Sequence, residues 1–178
     1  MLKASGNIPC KIIFEIRKAR KSDLDELSDV MRYIPNLRIG DELPFSSADE
    51  LESCITNKKG LFLVYVKNDQ IVGFLYGVME TENTACIVYL GIVEGFRHHG
   101  FATELVDKFI IEMNNKISIT KIYTLTTNEI ATGFFENVYN MNEKANLAYL
   151  SKDVGELWDS IRSRKTSDDK IVQESRKQ

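Results

Sequence analysis

The stretch Ala85-Cys86-Ile87-Val88-Tyr89-Leu90-Gly91-Ile92-Val93 carries no charged side chain and is β-branched or aromatic at most positions. Such a run is a strand covered on both faces, not one with a wet side. It passes into the short polar segment Glu94-Gly95-Phe96-Arg97-His98-His99-Gly100. Beyond that, Leu105, Val106, Phe109, Ile110 and Met113 fall on one face of a helix over residues 102–113. A central strand that turns directly into an amphipathic helix demands a sheet with helices packed on it, which neither an all-helical bundle nor a β-sandwich provides.

The rest of the chain fills in that architecture. Residues 1–11 read as a lead-in, and Ile12 to Ile16 as a first strand. Ser22 is placed as an N-cap, with Asp25 three residues on, for a helix bearing Leu24, Leu27, Met31 and Ile34 that Pro35 stops. Ser47 with Glu50 caps a second helix carrying Leu51, Cys54 and Ile55. Leu61 to Val66 and Ile71 to Met79 form a hairpin around Asn68-Asp69, and a polar turn at Glu80 to Asn83 leads into the central strand. Lys121 to Thr127 predicts a strand, Ala131 to Val138 a short helix, and Lys144 to Leu150 a last strand. The order is βααβββαβαβ, an α/β (α+β) fold with a mixed, mostly antiparallel central sheet flanked by helices. Val154, Leu157, Trp158 and Ile161 predict one more amphipathic helix within residues 151–178, ending in a polar, frayed tail.

Composition removes several function classes. At 178 residues and 43% hydrophobic, the chain fits one domain with a full core. A net charge of -3, with basic and acidic residues interspersed, argues against nucleic acid as a partner. No apolar run approaches the roughly 18 residues of a membrane span. Cys10, Cys54 and Cys86 are odd in number and far apart, without a secretory leader, which fits a reducing cytoplasm. Only two histidines are present, adjacent and without a cluster of cysteines or acids, so no metal is expected.

The chemistry sits where strand becomes helix. A helix start leaves N–H groups unpaired and carries partial positive charge, so it draws phosphate. Gly100 removes a Cβ from the turn, Ala102 keeps the first helical position small, and Arg97 adds a charge-assisted donor. The strand end Leu90-Gly91-Ile92 offers main-chain groups to an extended ligand beside it, with Gly91 allowing close approach.

The pattern Arg97-x-x-Gly100-x-Ala102 resembles the (Arg/Gln)-x-x-Gly-x-(Gly/Ala) signature of the GNAT superfamily of N-acetyltransferases. Downstream, Asn128-Glu-Ile-Ala131-Thr-Gly-Phe134-Phe135-Glu136 resembles that family's Asn-x-x-Ala-x-x-Phe-Tyr-Glu segment, and the element order agrees over residues 12–150. The resemblance implies an N-acetyltransferase domain there, with acetyl-coenzyme A as cosubstrate and no metal. The acceptor it implies is a primary amine, on a small molecule or on a protein or peptide, and a homodimer stays open. By the same resemblance Leu90, Gly91 and Ile92 contact the pantetheine, and the Ile92 N–H is the oxyanion donor. Arg97, His98, His99, Gly100, Phe101, Ala102 and Thr103 serve the pyrophosphate. Asn128 touches the coenzyme arm, and Phe134 and Phe135 lie near the thioester or in the core.

Two departures bear on mechanism. His98 and His99 replace the glycine and arginine common in the family loop. Phe135 stands where many members have a tyrosine that protonates the leaving thiolate, and phenylalanine has no proton to give. Tyr139, four residues on and on the same helical face, is either a substitute acid or a packing residue. Glu80, Glu82 and Glu94 are alternative bases, with Glu80 the first choice, and a water chain is another route. Cys86 reads as a small buried hydrophobe. The acceptor is expected from the side of the two early helices and the loop from Ile34 to Phe45, where Asp41 and Glu42 would attract a cation. A non-catalytic coenzyme sensor or scaffold is the alternative reading.

Overall fold

The alternation expected from Leu61 onward becomes an antiparallel meander. A computed structural model describes residues 13–34, 45, 47–116, 118–126, 128–143, 148–155, 157 and 161–164. In it β1 spans Phe14–Lys18, α1 Leu24–Arg32, α2 Ala48–Thr56, β2 Gly60–Lys67, β3 Gln70–Thr81 and β4 Thr84–Ile92. There follow α3 Phe101–Lys116, β5 Lys121–Thr126, α4 Glu129–Tyr139, β6 Asn142–Glu143 and β7 Ala148–Asp153. All strands join one sheet in the order β1-β2-β3-β4-β5-β7-β6. Every pairing is antiparallel except β4 with β5. That parallel pair needs a crossover, and α3 supplies it. The fold is the mixed, mostly antiparallel sheet with flanking helices that the sequence pattern predicts.

Local chemistry explains most boundaries. Asn68 and Asp69 take φ of 47° and 65°, the left-handed pair that a tight hairpin between β2 and β3 requires. Asn68 also pins β1: its Oδ1 accepts from the Ile13 N–H at 3.0 Å. The Ser47 side chain accepts from the Glu50 N–H, as its spacing predicts.

Ser22 does not cap α1. It lies in a 3₁₀ turn, Lys21–Asp23, and Asp23 organises the helix start instead. The Asp23 carboxylate accepts from the Arg20 N–H at 2.7 Å and pairs with Arg17 at 2.6 and 2.9 Å. That guanidinium outweighs burial and holds the carboxyl below its ordinary range.

The last strand expected over Lys144 to Leu150 is present from Ala148 as β7 and runs on to Asp153, paired with the whole of β5, while the two-residue β6 pairs with its other edge; residues 144–147 lie outside the described ones. Ile12, Pro35, Gly40, Asp41, Glu42, Pro44, Trp158 and the polar tail from Lys165 onward lie outside the described residues.

The sheet separates two cores. One, beneath α1 and α2, is built on Leu27, Phe62, Val64, Ile71, Phe74 and Tyr76. The other, beneath α3 and α4, holds Val106, Phe109, Ile110, Phe135 and Tyr139 together with Val154, Leu157 and Ile161. The core therefore continues past residue 150, into a helical segment described at residues 154–155, 157 and 161–164.

Close approach of α3 to the sheet is set by Gly77. A Cβ there would lie 2.4 Å from Phe109 Cζ and 2.7 Å from the Cys86 carbonyl oxygen. Gly77→Ala is expected to cost about 1–3 kcal/mol through overpacking. A fall of several degrees in the thermal midpoint checks it, and an unchanged midpoint would contradict this account of the packing.

Candidate functional site

The parallel ladder between β4 and β5 runs from Thr84 and Lys121 to Ile87 and Thr124 and then stops. Buried Thr124 closes it, its Oγ1 donating to the Ile87 carbonyl at 3.0 Å. Beyond this point β4 continues to Ile92 with its β5 side open, forming a fork. Val88 sits at a bulge, since Ile87 pairs with Gly77 and Tyr89 with Tyr76, leaving Val88 unmatched on β3. Val88 and Leu125 at the fork are exposed.

The hydrogen-bond alternation sets which backbone groups face the opening. The Val93 N–H donates to the Val72 carbonyl at 3.0 Å, so Gly91 and Tyr89 also bond toward β3. Leu90 and Ile92 are the intervening residues, and their N–H and C=O groups point to the open edge. The Ile92 carbonyl accepts from Arg97 Nε at 3.2 Å. That bond uses one of the five N–H donors of Arg97 and fixes the guanidinium where strand meets loop.

The loop itself is shaped by two left-handed residues, His98 at φ 64° and Gly100 at φ 84°. A histidine in that region costs on the order of 1 kcal/mol, a strain typical of sites where backbone must be aimed. Nothing lies within 4 Å of where a Gly100 Cβ would be, so the space above the turn is open. The Glu104 N–H donates to the Gly100 carbonyl at 3.0 Å, closing the first turn of α3. Left-handed turns leading into a helix N-terminus direct N–H groups into a concavity suited to an anion.

His99 Nδ1 lies 2.7 Å from the Arg97 carbonyl, which assigns the proton to Nδ1. Its outer nitrogen is then an acceptor in the neutral ring and a donor only in the imidazolium. His98, His99 and Gly100 are exposed, and Phe101, Ala102 and Thr103 are half-buried.

A support that the motif alone does not reveal lies beneath the loop. His99 stacks on Phe101 at 5.8 Å, Phe101 stacks on Tyr65 at 4.3 Å, and the Tyr65 hydroxyl donates to Glu104 at 2.9 Å. Burial, then the Glu104 bond, raise the Tyr65 ionisation well above the ordinary phenol range, so it stays a donor. The only signal in the sequence was an aromatic residue in β2 on the face turned to α3.

The downstream segment divides. Asn128 is the N-cap of α4, its Oδ1 accepting from the Ile130 N–H at 2.9 Å, which leaves its amide nitrogen as the group suited to a ligand. Phe135 is buried and Phe134 half-buried, with ring centres 5.0 Å apart.

Tyr139 is fully buried. Its hydroxyl faces the Thr103 carbonyl at 3.0 Å and Asp107 Oδ1 at 2.8 Å, and Arg164 donates to that same Oδ1 at 2.7 Å. Burial, then Asp107, push its ionisation far up. The hydroxyl is thus turned to α3 and the C-terminal segment, in a clamp, and the structure does not bring it together with Glu80. Glu80 lies near the closed end of the ladder in β3 and is exposed, as are Glu82 and Glu94. Tyr139→Phe is expected to lower stability by about 1–3 kcal/mol through loss of a buried hydrogen bond. Turnover per folded molecule should be kept, whereas an acid at Tyr139 would show as a loss of at least about 100-fold.

Cys86 is buried, which lifts its thiol to about 11 and makes it a poor nucleophile. Among the described residues, no group of three or more His, Cys, Asp or Glu could hold a metal ion. No helix among them is long and apolar enough to cross a membrane.

The family model described as acetyltransferase (GNAT) family matches residues 26–140. No curated protein matches the sequence. Among solved structures, the PaiA N-acetyltransferase of Thermoplasma acidophilum, in complex with coenzyme A, superposes with a TM-score of 0.66 at 19% identity, covering 79% of this chain and 99% of that one. The ribosomal-protein-S18-alanine N-acetyltransferase of Escherichia coli superposes with a TM-score of 0.64 at 11% identity, covering 80% and 94%. A GNAT-family acetyltransferase of Staphylococcus aureus gives a TM-score of 0.64 at 17% identity, covering 80% and 99%. At such identities the likeness is one of fold.

Proposed function

The chain belongs to the acetyltransferase (GNAT) family, and on that premise we propose that it transfers the acetyl group of acetyl-coenzyme A directly to a primary amine. The observation that carries this reading is the fork itself. An open β4 edge leads without a break into a left-handed loop and a helix N-terminus. A pantetheine arm has amides to pair with the edge groups of Leu90 and Ile92, passing over Gly91 between them, and a pyrophosphate has the charge for the loop from His98 to Thr103. Arg97 adds charge to the same phosphates, the Asn128 amide reaches the arm, and Phe134 and Phe135 border the thioester. The structural neighbour solved with coenzyme A supports that cosubstrate.

The chemistry assigned to these residues is nucleophilic acyl transfer. A neutral amine adds to the thioester carbonyl, and the oxyanion that develops is met by the Ile92 N–H on the open edge. Collapse breaks the carbon–sulfur bond and releases coenzyme A thiolate. The acceptor approaches over α1 and α2, where Phe45 ends the early loop with its ring 4.9 Å from Tyr89 of β4. We place the reaction in a reducing cytoplasm, where the free thiols of Cys54 and Cys86 persist.

Thiol release from acetyl-coenzyme A tests the proposal, using peptide N-termini, lysine peptides and polyamines as acceptors. Peptide N-termini are included because one structural neighbour is named for an alanine acceptor on a ribosomal protein. Release that depends on one amine class supports transfer. A second reading, a coenzyme-binding sensor or scaffold, is favoured by Phe135 and by the sealed Tyr139 hydroxyl. Tight coenzyme binding with no release across the panel would decide for it.

A further inference from the structure

The loop shaped for the pyrophosphate has a second cation beside it. Lys67 ends β2, and because β2 and β4 both pair antiparallel with β3, it lies at the same end of the sheet as Ile92. Its ammonium sits over two aromatic rings, Phe96 at 4.8 Å and Phe14 at 5.7 Å. Phe96 immediately precedes Arg97 in the chain. Phe14 of β1 lies in turn against Phe101, the first residue of α3, at 5.4 Å, and against Tyr65 at 6.2 Å. The charge is thus fastened to both ends of the loop, directly at Phe96 and through Phe14 at Phe101.

Ring faces hold an ammonium in place and leave its charge uncompensated. Lys67 makes no ion pair with any described residue, whereas Lys18, Lys21 and Lys108 each meet a carboxylate. The side chain is half-buried, and Phe14 beside it is 47% exposed, so the cluster opens to solvent. A cation drawn partly out of water without a counter-charge is costly, and an anionic ligand offsets that cost. Next to a loop suited to phosphate, the anion that fits is one more phosphate.

We propose that Lys67, seated between Phe14 and Phe96, binds the 3′-phosphate on the adenosine of the coenzyme. This rests on the acetyl-coenzyme A reading above. The pantetheine arm lies in the fork, on the β5 side of β4, and β3, β2 and β1 follow on the other side. A ligand that runs from the fork through the loop continues toward β2. The next charged group it carries past the pyrophosphate is the 3′-phosphate, one ribose away. The Lys67 ammonium meets that group as a point charge, while Arg97 serves the pyrophosphate. No bond is made or broken here. The subsite sets which donor is taken, the 3′-phosphorylated coenzyme over its 3′-dephospho form. Lys67 belongs to none of the sequence motifs, because a lysine that closes a strand reads as a solvated strand end.

Calorimetry on the full chain tests this by comparing coenzyme A with 3′-dephospho-coenzyme A. The wild-type chain is expected to bind coenzyme A at least about 10-fold tighter, the size of one charge-assisted contact. Lys67→Met keeps an unbranched stem against the rings and removes the charge. It should weaken coenzyme A by a similar factor and leave the dephospho form unchanged, so that the two bind alike. A side chain with a merely structural role would weaken both forms equally, and that outcome overturns the subsite. If Lys67→Met fails to fold, Lys67→Gln carries the same comparison. A preference that survives loss of the charge overturns the subsite as well. Equal wild-type affinity for the two forms also overturns it, while leaving acetyl transfer standing. A wild-type chain that binds neither form overturns the coenzyme reading, and the subsite with it.

Discussion

Arg97→Glu combined with Gly100→Asp is expected to weaken coenzyme A binding by at least about 100-fold, from two independent effects. At Gly100 the backbone holds φ 84°, and an aspartate forced into that region costs about 1–2 kcal/mol. Relaxing that strain turns N–H groups away from the anion. Both substitutions also place carboxylates where phosphates are to sit, and the loss of Arg97 removes a charge-assisted bond of about 1.5–3 kcal/mol. The fold should survive, because no atom lies within 4 Å of the Gly100 Cβ position. The substitution at Arg97 gives up one side-chain bond, to the Ile92 carbonyl, at a half-buried site. Isothermal calorimetry with coenzyme A reads the effect, and an unchanged circular dichroism spectrum certifies the fold. Wild-type affinity in the double variant would sink the assignment of this loop.

The features that single this loop out in the sequence are physical. An anion site at a helix start is made from backbone, so it asks for small side chains facing the anion, and Gly100 and Ala102, two positions apart, meet that requirement. The hairpin at Asn68-Asp69 and the Ser47 cap are equally local, each decided by interactions within four residues. What spacing does not carry is the identity of the partner across the fold. The i,i+4 relation to Phe135 put Tyr139 on the right face of α4, but the groups that meet its hydroxyl come from 32 and 36 residues away. Ser22 failed as a cap for a related reason: Arg17 and the Arg20 N–H together offer Asp23 more than a helix start offers a serine.

Ending the chain after Asp153 is expected to abolish cooperative unfolding, although the apolar content of the sequence falls beyond that point to the four positions Val154, Leu157, Trp158 and Ile161 of one short amphipathic segment and a polar tail. Val154, Leu157 and Ile161 are 3%, 0% and 1% exposed and belong to the same core as Phe109 and Tyr139. Trimming one such side chain to alanine costs about 2–5 kcal/mol. Removing all three competes with a total stability of about 5–15 kcal/mol for a domain of ordinary size. Arg164 goes with them, and with it the guanidinium that bonds Asp107 and lies 4.9 Å over the Tyr139 ring. That loss adds less than a fully buried pair would, since the Arg164 and Asp107 side chains are 29% and 16% exposed. The single change Leu157→Ala gives a graded version, a destabilisation of about 2–5 kcal/mol measured by chemical denaturation. A truncated chain that melts like the full one would show that the sheet and α3 close their core without this segment. The clamp on Tyr139 and Thr103 would then have no part in holding α4 beside the first turn of α3, where the coenzyme loop begins.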